Sequence, residues 1–269
     1  MWLGMMRFVP FVKKQPMVAV LRMQGMIATG GPGRLNDATL APLIEKAFRR
    51  GKPAAVALLI NSPGGSPAQS SLISRRIRRL AEEKRVPVLA FVEDVAASGG
   101  YYIASAADEI WADENSILGS IGVISAGFGF NKFINRYGIE RRVYTAGESK
   151  SLLDPFQPEK ADDVARLEEL QEQIHAGFIR HVRDRRGARL AARDDLFTGE
   201  IWVGEQAREV GLIDGIGHLV PTMKERFGDK VRFSVYQQRR PLLGRFGMGL
   251  LHSALGEIED RAGFARYGL

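Results

Sequence analysis

The chain has no cysteine in its 269 residues. That excludes a disulfide scaffold, a cysteine nucleophile and thiolate metal ligation. Histidine is nearly as scarce, with only His175, His181, His218 and His252. None shows metal-ligand spacing and none neighbours a serine elbow. His175 and His181, six apart on a helix, are expected to face different sides. All four read as structural or surface residues. Long apolar runs are also missing. A spanning helix needs about 20 apolar residues, and the best stretch, Met1 to Val12, is broken by Arg7 and Pro10 and closed by Lys13 and Lys14. It lacks the ordered features of a cleaved signal peptide. The expectation is a cytoplasmic protein, or one held peripherally at the inner membrane. No phosphate-binding P-loop occurs, and the glycines of Thr29 to Gly33 lack the strand–helix context of a nucleotide site. No cofactor and no metal are therefore expected.

What remains is an ordinary globular composition, 45% hydrophobic and 26% charged, with 30 glycines and a net charge of +7. The charge favours an anionic surface such as lipid headgroups; a nucleic-acid partner is not expected. Three parts are expected: an arm over 1–16, one domain over 17–236, and a tail over 237–269. In the tail, Leu242, Leu243, Phe246, Leu250, Leu251 and Leu255 fall beside Arg239, Arg240 and Arg245. Such a segment can form an amphipathic helix that packs on the protein or lies on a membrane.

Within the domain, Met17 to Met23 reads as a strand and Asp37 to Arg50 as a helix. The short apolar runs Ala54 to Ile60 and Val86 to Val92 suit strands covered on both faces. Each run is followed by a glycine turn and a helix: Asn61 to Gly65, then Ser66 as N-cap and Pro67 at the first helical position; and Ser98, Gly99 and Gly100, then Tyr101 onward. Asp108 to Ala112 is a short strand. Repeated strand–turn–helix units predict an α/β fold with a mostly parallel sheet. Further on, Arg141 to Thr145 reads as a strand, Ala146 to Pro158 as a polar loop, Ala161 to about Arg186 as a long helix, Thr198 to Gly217 as a turn–helix–turn, and Val231 to Tyr236 as an edge strand.

Two glycine turns on neighbouring parallel strands would aim backbone N–H groups at one point, as an oxyanion site requires. Singly, Gly64, Gly65, Gly99 and Gly100 could serve turn sterics alone. Ser98 stands where a nucleophile should, after a strand and before a helix, although the G-x-S-x-G elbow is absent. Without a suitable histidine, a lysine kept neutral could act as base. Lys150, between Ser149 and Ser151, fits that role or that of a solvated loop residue.

The run from Asp94 to Ile124 resembles peptidase family S49, the signal peptide peptidase A and SohB group. The Ile60 to Ser66 block, the Gly147 to Lys150 block and the Phe197 to Gly217 block occur in the same order as in that family. The likeness covers roughly 17–235, and the Ser98-to-Lys150 interval matches the short, single-repeat members. The resemblance implies a crotonase/Clp-protease-like twisted, mostly parallel sheet with surrounding helices. It implies a serine endopeptidase in which Ser98 is the nucleophile, Lys150 the general base, and Ser120 the hydroxyl that orients the lysine, with Gly65 and Gly99 as oxyanion donors. It implies peptide substrates, remnant signal peptides or other extended chains among them. It also implies a homo-oligomer, an octamer or a tetramer, with the dyad shared between protomers. Two other readings stand beside it: a crotonase-like acyl-CoA enzyme, which needs a carboxylate over its substrate, and a non-catalytic oligomeric membrane scaffold.

Overall fold

The computed structural model describes residues 15–30, 33–147, 150–238 and 263–269. Most of the arm and tail expected from the sequence, including every residue named above between 239 and 262, lies outside them.

The core of the sheet is β1 (Met17–Gln24), β2 (Ala55–Ser62) and β3 (Val88–Ala97), all parallel. Alternate residues of these strands serve two apolar layers. Ala19, Leu21, Val56, Leu58 and Ala90 face the larger core, whereas Val18, Val20, Ala55, Ala57, Leu89 and Phe91 face a smaller one closed by Met223. Burial on both faces explains why the runs are continuously apolar rather than alternating. The larger core is covered by α1 (Asp37–Arg49) and α2 (Pro67–Lys84). The Asn36 side chain accepts from the Thr39 N–H to start α1, and Ser66 accepts from Gln69 to start α2 ahead of Pro67. Both helices bury one stripe, Leu40, Ile44, Ala47 and Phe48 in α1 and Ile73, Ile77, Leu80 and Ala81 in α2.

Strand β3 changes neighbours halfway along. Its first half, Leu89 to Val92, pairs with β4 (Glu109–Ala112); its second half, Val95 to Ala97, pairs with β5 (Ile117–Gly119). The β2–β3 register shifts at the same level. The sheet order is β6-β5-β3-β2-β1-β8, with β6 (Ile201–Val203) antiparallel to β5 and β8 (Arg232–Tyr236) parallel to β1 at the edge; β7 (Gly215–Ile216) extends β4. The fold is thus α/β with a mostly parallel sheet and flanking helices, as expected, with β8 the edge strand.

Three details differ from expectation. Ile117 to Gly119 and Ile201 to Val203 are strands, although the sequence around them reads as a glycine-rich segment and a turn–helix–turn. Arg141 to Thr145 is not a strand. Its residues are exposed or half-buried and, among the described residues, no strand takes their backbone groups, so an extended preference has no ladder to join. The segment belongs instead to an arm over 123–158 that includes α4 (Asn131–Arg136). The long helix α5 (Ala161–Arg186) then returns to the domain, burying Phe178 and Val182. At its end the buried Arg186 donates to the Gly211 carbonyl (2.9 Å) and to Asp214 (2.7 Å). Helix α6 (Gly204–Glu209) follows β6, and α7 (Leu219–Phe227) covers the smaller core.

Candidate active site

Ser98 follows the last residue of β3 and caps α3 (Gly99–Ala104). Its φ is +50°, an uncommon value for a residue with a side chain, held by the structure around it. The Ser98 N–H donates to the Gly119 carbonyl (2.8 Å), and its own carbonyl accepts from Tyr102 (2.9 Å), which starts the helix. The half-buried serine stands on a sharp strand-to-helix turn, the backbone geometry that presents a nucleophile.

The two glycine turns meet there. A Cβ placed on Gly64 (φ +104°) would come within 2.9 Å of the Gly99 nitrogen and of Ser98 Cβ, so any side chain would push the turns apart. A Cβ on Gly65 (φ +139°) would collide with the Ile27 carbonyl. Glycine is required at both positions by space as well as by backbone angle. A Cβ placed on Gly99 would lie 3.3 Å from the Gly65 nitrogen, which sets the two peptide groups side by side. Among the described residues, neither the Gly65 N–H nor the Gly99 N–H donates a hydrogen bond. Two free donors beside a serine can stabilise an anion that develops on a carbonyl attacked by it.

Ser120 follows β5 directly. Its φ is +51° and its N–H donates to Glu200 (2.7 Å). Because Ser98 is bonded to Gly119, Ser120 is brought beside Ser98, though 22 positions separate them in the chain. Lys150 is not brought to this point. It is exposed on a turn, its N–H donating to the Gly147 carbonyl (3.3 Å), and it does not line the cavity at Ser98.

That cavity has a volume of about 570 Å³ and opens between α2 and α5. Ser98, Gly65, Gly99, Tyr102, Phe178 and His181 are among its walls. His181 thus shares the cavity with the serine, although the two lie far apart in the sequence. Its imidazole stacks on Tyr102 (3.9 Å between centroids), and its Nε2–H donates to the Tyr102 carbonyl (3.0 Å). His175 likewise donates to the Ile121 carbonyl (3.0 Å), so both histidines turn to the domain. The inward stripe of α5, Phe178 and Val182, was the signal that His181 lies at the packed face. Burial lowers the His181 pKa to about 4, with the Arg185 and Arg75 charges adding to it and the Tyr102 carbonyl opposing. An imidazole with so little affinity for a proton, its Nε2–H already given to a carbonyl, is poorly suited as a general base near neutral pH. Elsewhere, His218 pairs with Asp113 (2.8 Å).

The shift has a consequence for stability. The unfolded histidine titrates near 6.5 and the folded one near 4, so the unfolded state binds the extra proton between those values. Stability is full above about pH 6.5 and should fall, by at most roughly 3 kcal/mol, as pH drops towards 4. Urea midpoints measured at pH 7 and pH 4.5 should show this fall, and His181→Phe, which keeps the stacking, should shrink it. An equal fall in both proteins would assign the acid sensitivity to other groups.

A family model described as Peptidase family S49 matches residues 80–226, more than half of the chain. The Na(+)/H(+) antiporter NhaA of Brucella melitensis biotype 1 is 49% identical over 271 residues, which covers 94% of this chain and 37% of that protein. The chloroplastic serine protease SPPA of Arabidopsis thaliana is 34% identical over 208 residues, covering 75% of this chain and 29% of the relative. This chain therefore spans only about a third of the length of these relatives. Among solved structures, a serine-to-alanine mutant of the 1510-N membrane-bound stomatin-specific protease superposes with a TM-score of 0.51 at 15% identity, covering 85% of this chain and all of that one, a likeness of fold. The matched region contains Ser98, Ser120 and Lys150, and on this match the chain belongs to peptidase family S49.

Proposed function

We propose that residues 17–236 form a serine endopeptidase unit that uses a Ser-Lys dyad on extended peptides, remnant signal peptides among them. The observation that carries this reading is the convergence of the Gly65 and Gly99 N–H groups beside a serine held at positive φ. Ser98 Oγ attacks the peptide carbonyl while the Lys150 amine takes its proton. The two glycine N–H groups hold the oxyanion. The lysine then gives the proton to the departing amine, and a water, activated in the same way, hydrolyses the acyl-enzyme. Ser120 orients the lysine. The weakness of His181 as a base favours the lysine over a histidine.

In this reading Lys150 acts on the Ser98 of a neighbouring copy. Its exposure supports that, as does the arm that carries it, where Phe128 is 81% and Tyr144 90% exposed. Large exposed apolar side chains clustered on one segment mark a contact surface. Assembly into a closed ring, a tetramer or an octamer, would complete the sites and restrict them to extended chains. Among the described residues no helix is long and apolar enough to cross a membrane; contact with an anionic membrane would be peripheral.

A fluorophosphonate probe tests the reading directly. The native protein should be labelled on Ser98 and Ser98→Ala should not. Labelling that persists in Ser98→Ala would place the nucleophile elsewhere, and a native protein that resists the probe and cleaves no peptide would favour the non-catalytic scaffold.

A further inference from the structure

Two arginines wall the Ser98 cavity without taking part in the proposed chemistry. Arg75 comes from α2 and Arg180 from α5, the two helices between which the cavity opens. Both are exposed, and among the described residues neither forms an ion pair or donates a hydrogen bond. Neighbours on the same helices are engaged: Arg76 with Asp37 (2.7 Å), Arg78 with Asp108 (2.7 Å), and Arg185 with the carbonyls of Ser105 (3.1 Å) and Ala107 (3.0 Å). The two free cations stand at one level of the cavity. A Cβ on Gly177, itself a wall residue, would lie 3.9 Å from Arg180 Nη2, so this guanidinium folds back along α5 over a position that has no side chain. Arg75 stands one turn before Arg78, which donates to the Ala106 carbonyl (3.2 Å), and the Arg75 charge reaches His181. His181 is stacked on Tyr102, whose N–H donates to the Ser98 carbonyl. Both arginines are therefore about one helical turn past the serine, roughly 5 Å of rise. The imidazole at that level is neutral near pH 7. Asp184, the one carboxylate on the described walls, follows about a turn later on α5, farther from the serine.

We propose that Arg75 and Arg180 select the substrate by binding a peptide carboxylate within about two residues of the bond that is cut. An extended chain advances about 3.3 Å per residue, so one turn of rise is covered by the second residue from the serine. Each guanidinium offers a planar fork of N–H donors that matches both oxygens of a carboxylate. Two forks from opposite walls can close on one anion, and neither has to give up a partner to do so. A lysine or arginine of the substrate would meet two like charges there. A glutamine has the shape of a glutamate without its charge, so the pair isolates the electrostatic part of the selection. The carboxylate is either an acidic side chain or the free end of the peptide, since the chemistry of recognition is the same. Binding of the anion stands on the geometry of the arginines alone; its effect on cleavage rests on Ser98 as the nucleophile.

The test measures binding and cleavage separately. Binding is read by anisotropy on the full chain carrying Ser98→Ala, with three nonapeptides of alanine, serine and leucine that bear an uncharged dye at the N-terminus. One has a central Glu and an amidated C-terminus, one a central Gln and an amidated C-terminus, and one a central Gln and a free C-terminal carboxylate. A carboxylate peptide should bind about tenfold more tightly than the neutral one, and which of the two does so identifies the source. The preference should shrink as salt rises, because both arginines are exposed. Arg75→Gln with Arg180→Gln should remove it. Equal affinities for the three peptides, none measurable, or a preference that survives the loss of both arginines overturns the site. Cleavage is then measured with Ser98 present. The preferred peptide should be cut within about two residues of its carboxylate and at about tenfold higher kcat/KM, and the loss in the double arginine variant should fall on KM rather than kcat. A binding preference with cleavage indifferent to the carboxylate overturns the selecting role. A binding preference with no Ser98-dependent cleavage leaves the anion site standing and overturns the nucleophile assigned above.

Discussion

Ser98→Ala and Lys150→Ala should each lose peptide hydrolysis by about a thousandfold or more, about 4 kcal/mol of barrier, while circular dichroism and thermal midpoints stay near those of the native protein. The two free N–H groups of Gly65 and Gly99 remain in both variants, so on the proposed reading the nucleophile or its proton acceptor is lost and the oxyanion site stays. Ser120→Ala should fall in between, at about 10- to 1000-fold, because on the same reading it removes an orienting hydroxyl and leaves the dyad in place. The decisive form of the experiment mixes the two inactive variants. Lys150 lies on an exposed turn away from the cavity of its own chain. If it serves a neighbour, a contact that pairs an intact Ser98 with an intact Lys150 forms in about a quarter of the interfaces of a random head-to-tail assembly. The mixture should recover about a quarter of native activity after dissociation and reassembly. A mixture as inactive as its components, from chains shown to co-assemble, would mean that serine and lysine act within one chain.

The second large effect concerns the arm. Phe128→Asp with Phe133→Asp should convert the assembly to monomers in light scattering and abolish hydrolysis together, with secondary structure unchanged. Phe128 is 81% and Phe133 58% exposed, so neither supports the domain's own core. The arm nonetheless has internal order. Phe130 lies 6.3 Å from Phe128 and 5.6 Å from Phe156 between ring centroids, Phe133 packs at a tilt against Tyr137 at 5.0 Å, and the Phe130 N–H donates to the Pro155 carbonyl (2.6 Å). An apolar surface organised in this way has its burial still to gain. Each phenylalanine covered by a second copy contributes about 1.5–3 kcal/mol, and a buried carboxylate in its place opposes association. An unchanged assembly that still cleaves would assign the contact to another face and leave the exposed aromatics without that role.

How much of this was legible beforehand depends on how local each feature is. The buried strands read as short apolar runs because both faces of β1, β2 and β3 are covered. The helix starts at Asn36 and Ser66 read from their cap residues, and the two glycine turns from their place between strand and helix. Each of these is decided by a handful of adjacent residues, whose backbone angles and burial leave a mark in composition and period. Ser98 at a helix start belongs to the same class. The order of the catalytic-type blocks was legible as well, and with it the family.

Tertiary structure decided what depends on distant partners. That β3 pairs with β4 in one half and β5 in the other is a choice among neighbours, and it is this change that brings Ser120 to Ser98 through the Gly119 carbonyl. Arg141 to Thr145 has the residues of a strand but found no ladder. His181 looked remote in sequence and is carried by α5 into the serine's cavity, where desolvation makes it a weak base. Tyr267 reaches Ser120 across 147 positions. A sequence specifies by itself what is paid out within a turn or two of the chain. Which strand pairs with which, and which side chain ends beside which, is settled by the summed burial of surfaces far apart in the chain, and in this protein that sum brings the serines together and leaves Lys150 facing outward.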